Sequence, residues 1–324
     1  MSKKIYVTRP IPEEGINLLK EKGFQVDVNP ENKVLSKEEL KKVFAEYDAV
    51  LTLLTDKVDE DVLSAAGQNL KIVANYAVGY DNIDVKAATK KKIMVSNTPG
   101  VLTEAVAEHT FALLLTVAKR IVEADRFVRE GRYKQWEPLG FLGPQIWGKT
   151  IGIIGLGRIG SFVAQIAHGG FNMEVLYYDV TKNEEFEMRF SAKYHDLPSL
   201  LKKSDFITIH VPLIPSTHHL IGAKELGMMK ETAILVNTSR GPVVDEHSLV
   251  EALKEKKIAG AGLDVFEHEP DLSMGLNHLP NVALTPHTAS ATIEARNAMS
   301  RIAAENIIAA LEGKKPPNLV SIGQ

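Results

Sequence analysis

The chain has no cysteine in its 324 residues, which excludes disulfides and thiolate-held metal sites. Neither sign of charge is in excess. Lys and Arg number 38 against 41 Asp and Glu, for a net charge of −3, and the lysines are scattered rather than striped, so no nucleic-acid partner is expected. No long hydrophobic run survives inspection. The most apolar stretch, 101–122, is interrupted by Glu104, Glu108, His109, Lys119 and Arg120, so no membrane span is expected. A strand pattern, Ile5-Tyr6-Val7, begins at once and leaves no room for a signal peptide, which points to a cytoplasmic protein. What remains, 44% hydrophobic and 24% charged, is an ordinary globular composition, and the length predicts two domains.

The most informative segment present is Ile151-Gly152-Ile153-Ile154-Gly155-Leu156-Gly157-Arg158-Ile159-Gly160. Four strand-like residues lead into Gly-x-Gly-x-x-Gly, and Phe162, Val163, Ile166 and Ala167 follow at helical spacing. A second β-rich run, Val175–Tyr178, ends in Asp179. The first glycine allows a tight turn, the second lets backbone approach a pyrophosphate, and the third lets helix pack on strand. The helix N-terminus presents free N–H groups to phosphate, and the acid accepts from a ribose diol. The order strand, glycines, helix, strand, acid predicts a dinucleotide site. Asp179 favours NAD, with NADH preferred over NADPH, because a carboxylate repels a 2′-phosphate.

The rest of the chain alternates strands and helices. Before the glycine segment, strands are expected at Ile5–Thr8, Gln25–Val28, Ala49–Leu53, Lys71–Ala74 and Met94–Ser96. Helices are expected at Pro12–Lys22, at Ser36–Tyr47 with a Ser36/Glu39 capping box, and at Asp59–Ala66. Thr98-Pro99-Gly100 breaks the pattern, and a long helix is expected over Thr103–Arg129, either a subunit interface or an interdomain core helix. Later strands are expected at Phe206–Val211, Ala233–Asn237, Ala259–Asp264 and Val282–Thr285, with a last helix over Ala291–Leu311. The simplest architecture is α/β with two doubly wound parallel sheets. A Rossmann dinucleotide-binding domain (99–288) is inserted into a flavodoxin-like substrate domain (1–98 plus 289–324), with the cleft between them as the default active site.

Chemistry beyond the cofactor needs a substrate anchor, a proton donor and a group that sets the donor's charge. Three residues follow strand ends in the second half: Arg240, Glu269 and His287. A guanidinium grips an oxo acid at two points. Imidazole donates a proton near neutral pH, and a carboxylate on its other nitrogen fixes the tautomer. Glu267 competes with Glu269 for that last role. His210, His218 and His219 read as structural or surface residues, and no metal site is expected.

These segments, with Asn75–Asp84, Asn97–Gly100, Asn237–Asp245, Gly260–Pro270 and Leu284–Thr292, resemble the D-isomer-specific 2-hydroxyacid dehydrogenases over essentially the whole chain. Asn75–Asp84 and Thr8–Pro12 look closest to the branch that reduces glyoxylate and also hydroxypyruvate. The resemblance implies Arg240, Glu269 and His287 as the catalytic trio. It also implies substrate contacts at Leu53, Val78 and Gly79. Cofactor contacts are implied at Thr103, Gly155, Gly157, Arg158, Ile159, Gly160, Asp179, Val211, Pro212, Thr217, Thr238, Ser239, Asp264 and Ala289. It implies a small 2-oxo acid as substrate and a homodimer, with Trp136 near the dimer contact. Oxidation of 3-phosphoglycerate is an alternative within the family, and an NAD-sensing corepressor-like binding protein is one outside enzymology. Ala167–Phe171 looks one residue longer than the family pattern, which displaces Asp179, and Thr288 stands where an apolar residue is commoner.

Overall fold

Among the described residues, all twelve strands pair in parallel, in two separate sheets. The computed structural model describes residues 2–321, and the chain divides into two units: residues up to Leu102 together with those from Ala291 onward, and Thr103–Ser290.

The first unit opens with β1 (Lys4–Val7), α1 (Glu13–Glu21), β2 (Gln25–Val28), α2 (Lys37–Glu46) and β3 (Ala49–Thr52). It continues through α3 (Glu60–Ser64), β4 (Ile72–Asn75), α4 (Val85–Lys90) and β5 (Met94–Ser96). The strand order β2-β1-β3-β4-β5 is the flavodoxin-like one. Strands β3 and β4 are buried at every position, as a parallel sheet covered on both faces requires. The capping box of α2 is formed: Glu39 N–H donates to Ser36 Oγ at 3.3 Å, and Ser36 N–H to Glu39 Oε2 at 2.7 Å.

The second unit holds α5 (Thr103–Ala118), α6 (Ile121–Arg129), β6 (Thr150–Ile154), α7 (Arg158–Phe171), β7 (Glu174–Tyr178), α8 (Glu184–Phe190) and β8 (Lys193–Tyr194). It then runs through α9 (Leu197–Lys203), β9 (Phe206–Ile209), α10 (Ala223–Leu226), β10 (Ile234–Asn237), α11 (Glu246–Lys254), β11 (Gly260–Leu263) and β12 (Val282–Leu284). Its order β12-β11-β10-β9-β6-β7-β8 reverses direction beside β6, the switch point where dinucleotides bind. The chain closes with α12 (Ile293–Leu311), which packs on α1 in the first unit, where Gly15 N–H donates to Ser300 Oγ at 3.0 Å. No helix among the described residues is long and apolar enough to cross a membrane.

One expected element differs. The single helix expected over Thr103–Arg129 is two, α5 and α6, because Arg120 turns left-handed at φ 53. A distant strand of chain occupies the continuation: a Cβ on Gly143 would lie 2.0 Å from Ala118 O, and Lys119 Nζ reaches Pro144 O at 3.1 Å. Ala167–Phe171 lies within α7, which runs through both glycines and closes at left-handed Asn172.

Candidate active site

The glycine segment forms the turn from β6 into α7. Gly155 sits at φ +94, and a Cβ there would lie 2.8 Å from the His210 carbonyl carbon. A Cβ on Gly160 would meet Gly155 O at 2.1 Å, so this glycine sets how closely α7 approaches the turn. At Gly157, the N-cap of α7, a Cβ would meet nothing within 4 Å. It would project into open space in front of the first-turn N–H groups, where no side chain caps the helix. Exposed Arg158 and half-buried Ile159 flank that space. Asp179, at the end of β7, lies at the same turn: Oδ2 accepts from Leu156 N–H and Oδ1 from Val180 N–H, both at 2.6 Å. Each carboxylate oxygen keeps a second lone pair for a hydroxyl donor. An open cradle at a helix N-terminus beside a carboxylate fits a dinucleotide's diphosphate and ribose.

The other positions implied for the cofactor follow the neighbouring strand ends. Val211 and Pro212 follow β9, Thr238 and Ser239 follow β10, and Thr103 opens α5 as a buried residue. Thr217 spends its hydroxyl on its own loop, donating to Pro212 O at 2.6 Å and accepting from Ile214 N–H at 2.9 Å. Thr238 Oγ1 lies 3.0 Å from Thr110 Oγ1 on α5.

The structure brings His287 and Glu269 together, with Nδ1 3.0 Å from Oε2. Their side chains are 25% and 31% exposed, so the pair is reachable yet partly desolvated. Glu269 is fixed by Phe266 N–H, which donates to Oε1 at 3.1 Å. His287 is left-handed at φ 53, a conformation unfavourable for histidine, and its N–H donates to Asp264 O at 2.8 Å. The competing acid, Glu267, turns elsewhere and holds His219 Nε2 at 2.6 Å. Arg240 follows β10 on a turn clamped by Asn237, whose Nδ2 donates to Arg240 O at 2.9 Å and whose Oδ1 accepts from Ser239 N–H at 3.0 Å. That turn rests on the loop carrying Glu269: a Cβ on Gly241 would lie 1.8 Å from Phe266 O.

Asp264, fully buried, ties these loops together. Its Oδ1 accepts from Thr285 Oγ1 at 2.6 Å and Thr288 N–H at 2.7 Å, and its Oδ2 accepts from Ala289 N–H at 2.8 Å. Burial pushes its carboxyl up, but the bonds from His109, Thr285 and the two amides outweigh it and hold it below the usual carboxylate range. Asp264 thus fixes the backbone on both sides of His287. Sequence reasoning missed His109, whose Nε2 lies 2.9 Å from Thr285 Oγ1. A ring beside Glu108, interrupting the apolar run of α5, is the only local signal for it. It also missed Glu246, a buried acid that accepts from Glu267 N–H at 2.8 Å and Ser273 N–H at 2.6 Å, and so braces the Glu269 loop.

In the first unit, Leu53 opens the turn after β3, and Val78 and Gly79 form a half-buried loop after β4. Asn82 links the two segments, donating from Nδ2 to Leu53 O at 3.1 Å.

Comparison with known proteins gives a consistent result. Residues 111–289 match the D-isomer specific 2-hydroxyacid dehydrogenase, NAD binding domain. The glyoxylate reductase of Thermococcus litoralis is 53% identical over 99% of this chain and 97% of its own length. A Thermus thermophilus crystal structure superposes with a TM-score of 0.92 at 41% identity, covering 98% of this chain and 100% of that one. An NADPH-dependent glyoxylate/hydroxypyruvate reductase from Sinorhizobium meliloti, in complex with NADP and malonate, superposes with a TM-score of 0.87 at 32% identity, covering 99% and 97%. With its glycine turn, its imidazole–carboxylate pair and its two parallel sheets, the chain belongs to the D-isomer-specific 2-hydroxyacid dehydrogenases.

Proposed function

We propose that the chain reduces glyoxylate to glycolate with NADH and a proton. The observation that carries this reading is the His287–Glu269 pair, 3.0 Å apart in the unit that holds the glycine turn, in a chain half identical to a glyoxylate reductase. Gly155, Gly157, Gly160 and Asp179 hold the dinucleotide, with Arg158 and Ile159 at its diphosphate. When bound, it supplies hydride to the carbonyl carbon. Arg240 grips the oxo acid and polarises its carbonyl, and the N–H groups of Val78 and Gly79 take the carboxylate. Glu269 accepts from His287 Nδ1–H and orients the ring; with both ring nitrogens protonated, Nε2–H donates to the alkoxide as it forms. The imidazole then recovers its proton from water.

Asp179 supports NADH over NADPH, since a carboxylate that takes the ribose diol repels a 2′-phosphate. Hydroxypyruvate is a second substrate, a reading favoured by the double name of the Sinorhizobium meliloti relative. We also propose a homodimer.

The test is consumption of NADH and NADPH against glyoxylate, hydroxypyruvate, pyruvate and a no-substrate control. Turnover of glyoxylate with NADH is expected to be fastest. Arg240→Ala should lower kcat/KM roughly a hundredfold or more, and His287→Gln by about 10²–10⁴. Wild-type rates at background on every oxo acid would end the proposal.

A further inference from the structure

The loop after β4 carries an unusual set of anchors. Three successive carbonyls are each held by a donor: Ala77 O by Thr98 N–H at 2.9 Å, Val78 O by Asn97 Nδ2 at 2.7 Å, and Gly79 O by Asn75 Nδ2 at 2.9 Å. A trans peptide is planar, so the N–H of each following residue points opposite to the carbonyl before it. Holding these three carbonyls therefore fixes three consecutive peptide planes, and with them the directions of the Val78, Gly79 and Tyr80 N–H groups. Among the described residues, no protein acceptor meets any of these three N–H groups. Successive backbone donors with no protein acceptor, on a half-buried loop, are available to an anion.

The anchors are themselves held. Asn75 is fully buried, and its Oδ1 accepts from Thr52 Oγ1 at 3.1 Å while its Nδ2 also donates to Asn82 Oδ1 at 3.0 Å. Asn82 extends the network to the Leu53 turn, donating to Leu53 O and to Asp56 O at 3.0 Å. Asn97 is braced from the other side: its O accepts from Asn306 Nδ2 at 3.3 Å, and its N–H donates to Asn318 O at 3.3 Å. Every one of these contacts lies within the first unit.

We propose that Asn97 and Asn75 are positioning residues for substrate binding. Their carboxamides hold the loop so that Gly79 and Tyr80, with Val78 set by Thr98, present three N–H groups to the carboxylate of the oxo acid. Asn97 aims the Gly79 donor and Asn75 the Tyr80 donor. This rests on the reading that Val78 and Gly79 meet the carboxylate, and it adds a third donor and the side chains that aim all three.

The test combines kinetics with a direct view of the amides. For Asn97→Ala the KM for glyoxylate should rise about ten- to a hundredfold, with a smaller fall in kcat, as for a group misplaced by a fraction of an ångström. NADH affinity, read by fluorescence, should stay unchanged. An unchanged KM overturns the proposal. So does a KM that rises only together with lost NADH binding, the mark of general damage. In the wild-type holoenzyme, added oxalate should shift the amide resonances of Val78, Gly79 and Tyr80 in a nitrogen-15 spectrum. Unmoved resonances overturn the proposal even if a variant fails to fold. If the wild type does not turn over glyoxylate, the functional reading fails, and the oxalate titration still decides on the anion clamp.

Discussion

His210 shows what one side chain's surroundings do to its chemistry. It follows β9 beside the glycine turn, and its Nε2 is covered and has no hydrogen-bond partner among the described residues. Part of the residue reaches the surface, but the ring nitrogen does not. Burial pushes the imidazole down to about 3, so it stays neutral in the folded protein. In the unfolded chain it titrates near 6.5. Between those values the unfolded state binds a proton that the folded state refuses, so stability is complete above the upper value and falls as pH drops below it. Between pH 6.5 and 5 this linkage costs about 2 kcal/mol. His195, also depressed by burial, acts in the same sense, so the wild type alone would not isolate His210. His210→Gln cannot charge. Urea unfolding at pH 7.5 and pH 5 should show a smaller stability loss in the variant, by about 2 kcal/mol. Equal losses in the two proteins would show that the ring is not kept neutral.

Glycines at element boundaries separate two physical effects that sequence alone merges. Gly241 follows Arg240, and a Cβ there would run into the Phe266 carbonyl at 1.8 Å, with Glu267 N at 2.5 Å. Both obstacles are backbone, so the turn itself must move. Gly241→Ala should lower stability by about 1–3 kcal/mol and kcat/KM by roughly a hundredfold, because Arg240 and Glu269 lose their register. Gly169 lies inside α7, exposed, with open space where a Cβ would go. Gly169→Ala should raise stability by about 0.5–1 kcal/mol through helix propensity and leave kinetics unchanged. Urea unfolding and steady-state rates on the pair check both signs. What the sequence made legible follows the same division. The turn from β6 to α7 is local backbone chemistry, and so is the Ser36/Glu39 cap, and both are visible in a few adjacent residues. Glu267 and Glu269 stand two residues apart, and only distant partners, His219 and His287, tell them apart. The break at Arg120 coincides with a close approach of Gly143, more than twenty residues on. Asn97 sits in a segment the sequence singles out, but its role, like that of His109, is set by contacts far along the chain.

At the scale of the whole molecule the question is what covers its remaining apolar surface. A dimer through α5 is the natural expectation from its composition, yet its own unit already covers that helix. Phe111 stacks on Phe171 at 5.3 Å, Leu113 and Leu114 are buried, and the helix packs on α7, β10 and β11. The unsatisfied surface comes directly after it. Helix α6 buries none of its residues, and eight of the fifteen exposed large apolar side chains among the described residues fall between Ile121 and Trp147. Trp136 and Leu139 stand out at 77% and 80% exposed. Covering one such side chain contributes about 1.5–3 kcal/mol, which gives a partner a reason to cover this segment. A second copy offers the same apolar surface, and a two-fold axis makes that surface self-complementary. Light scattering at micromolar concentration should give twice the chain mass. The double substitution Trp136→Glu, Leu139→Glu puts four like charges into a two-fold interface and should give a monomer that still binds NADH. A wild-type mass equal to one chain would remove the dimer, and a dimeric double variant would move its interface away from this segment.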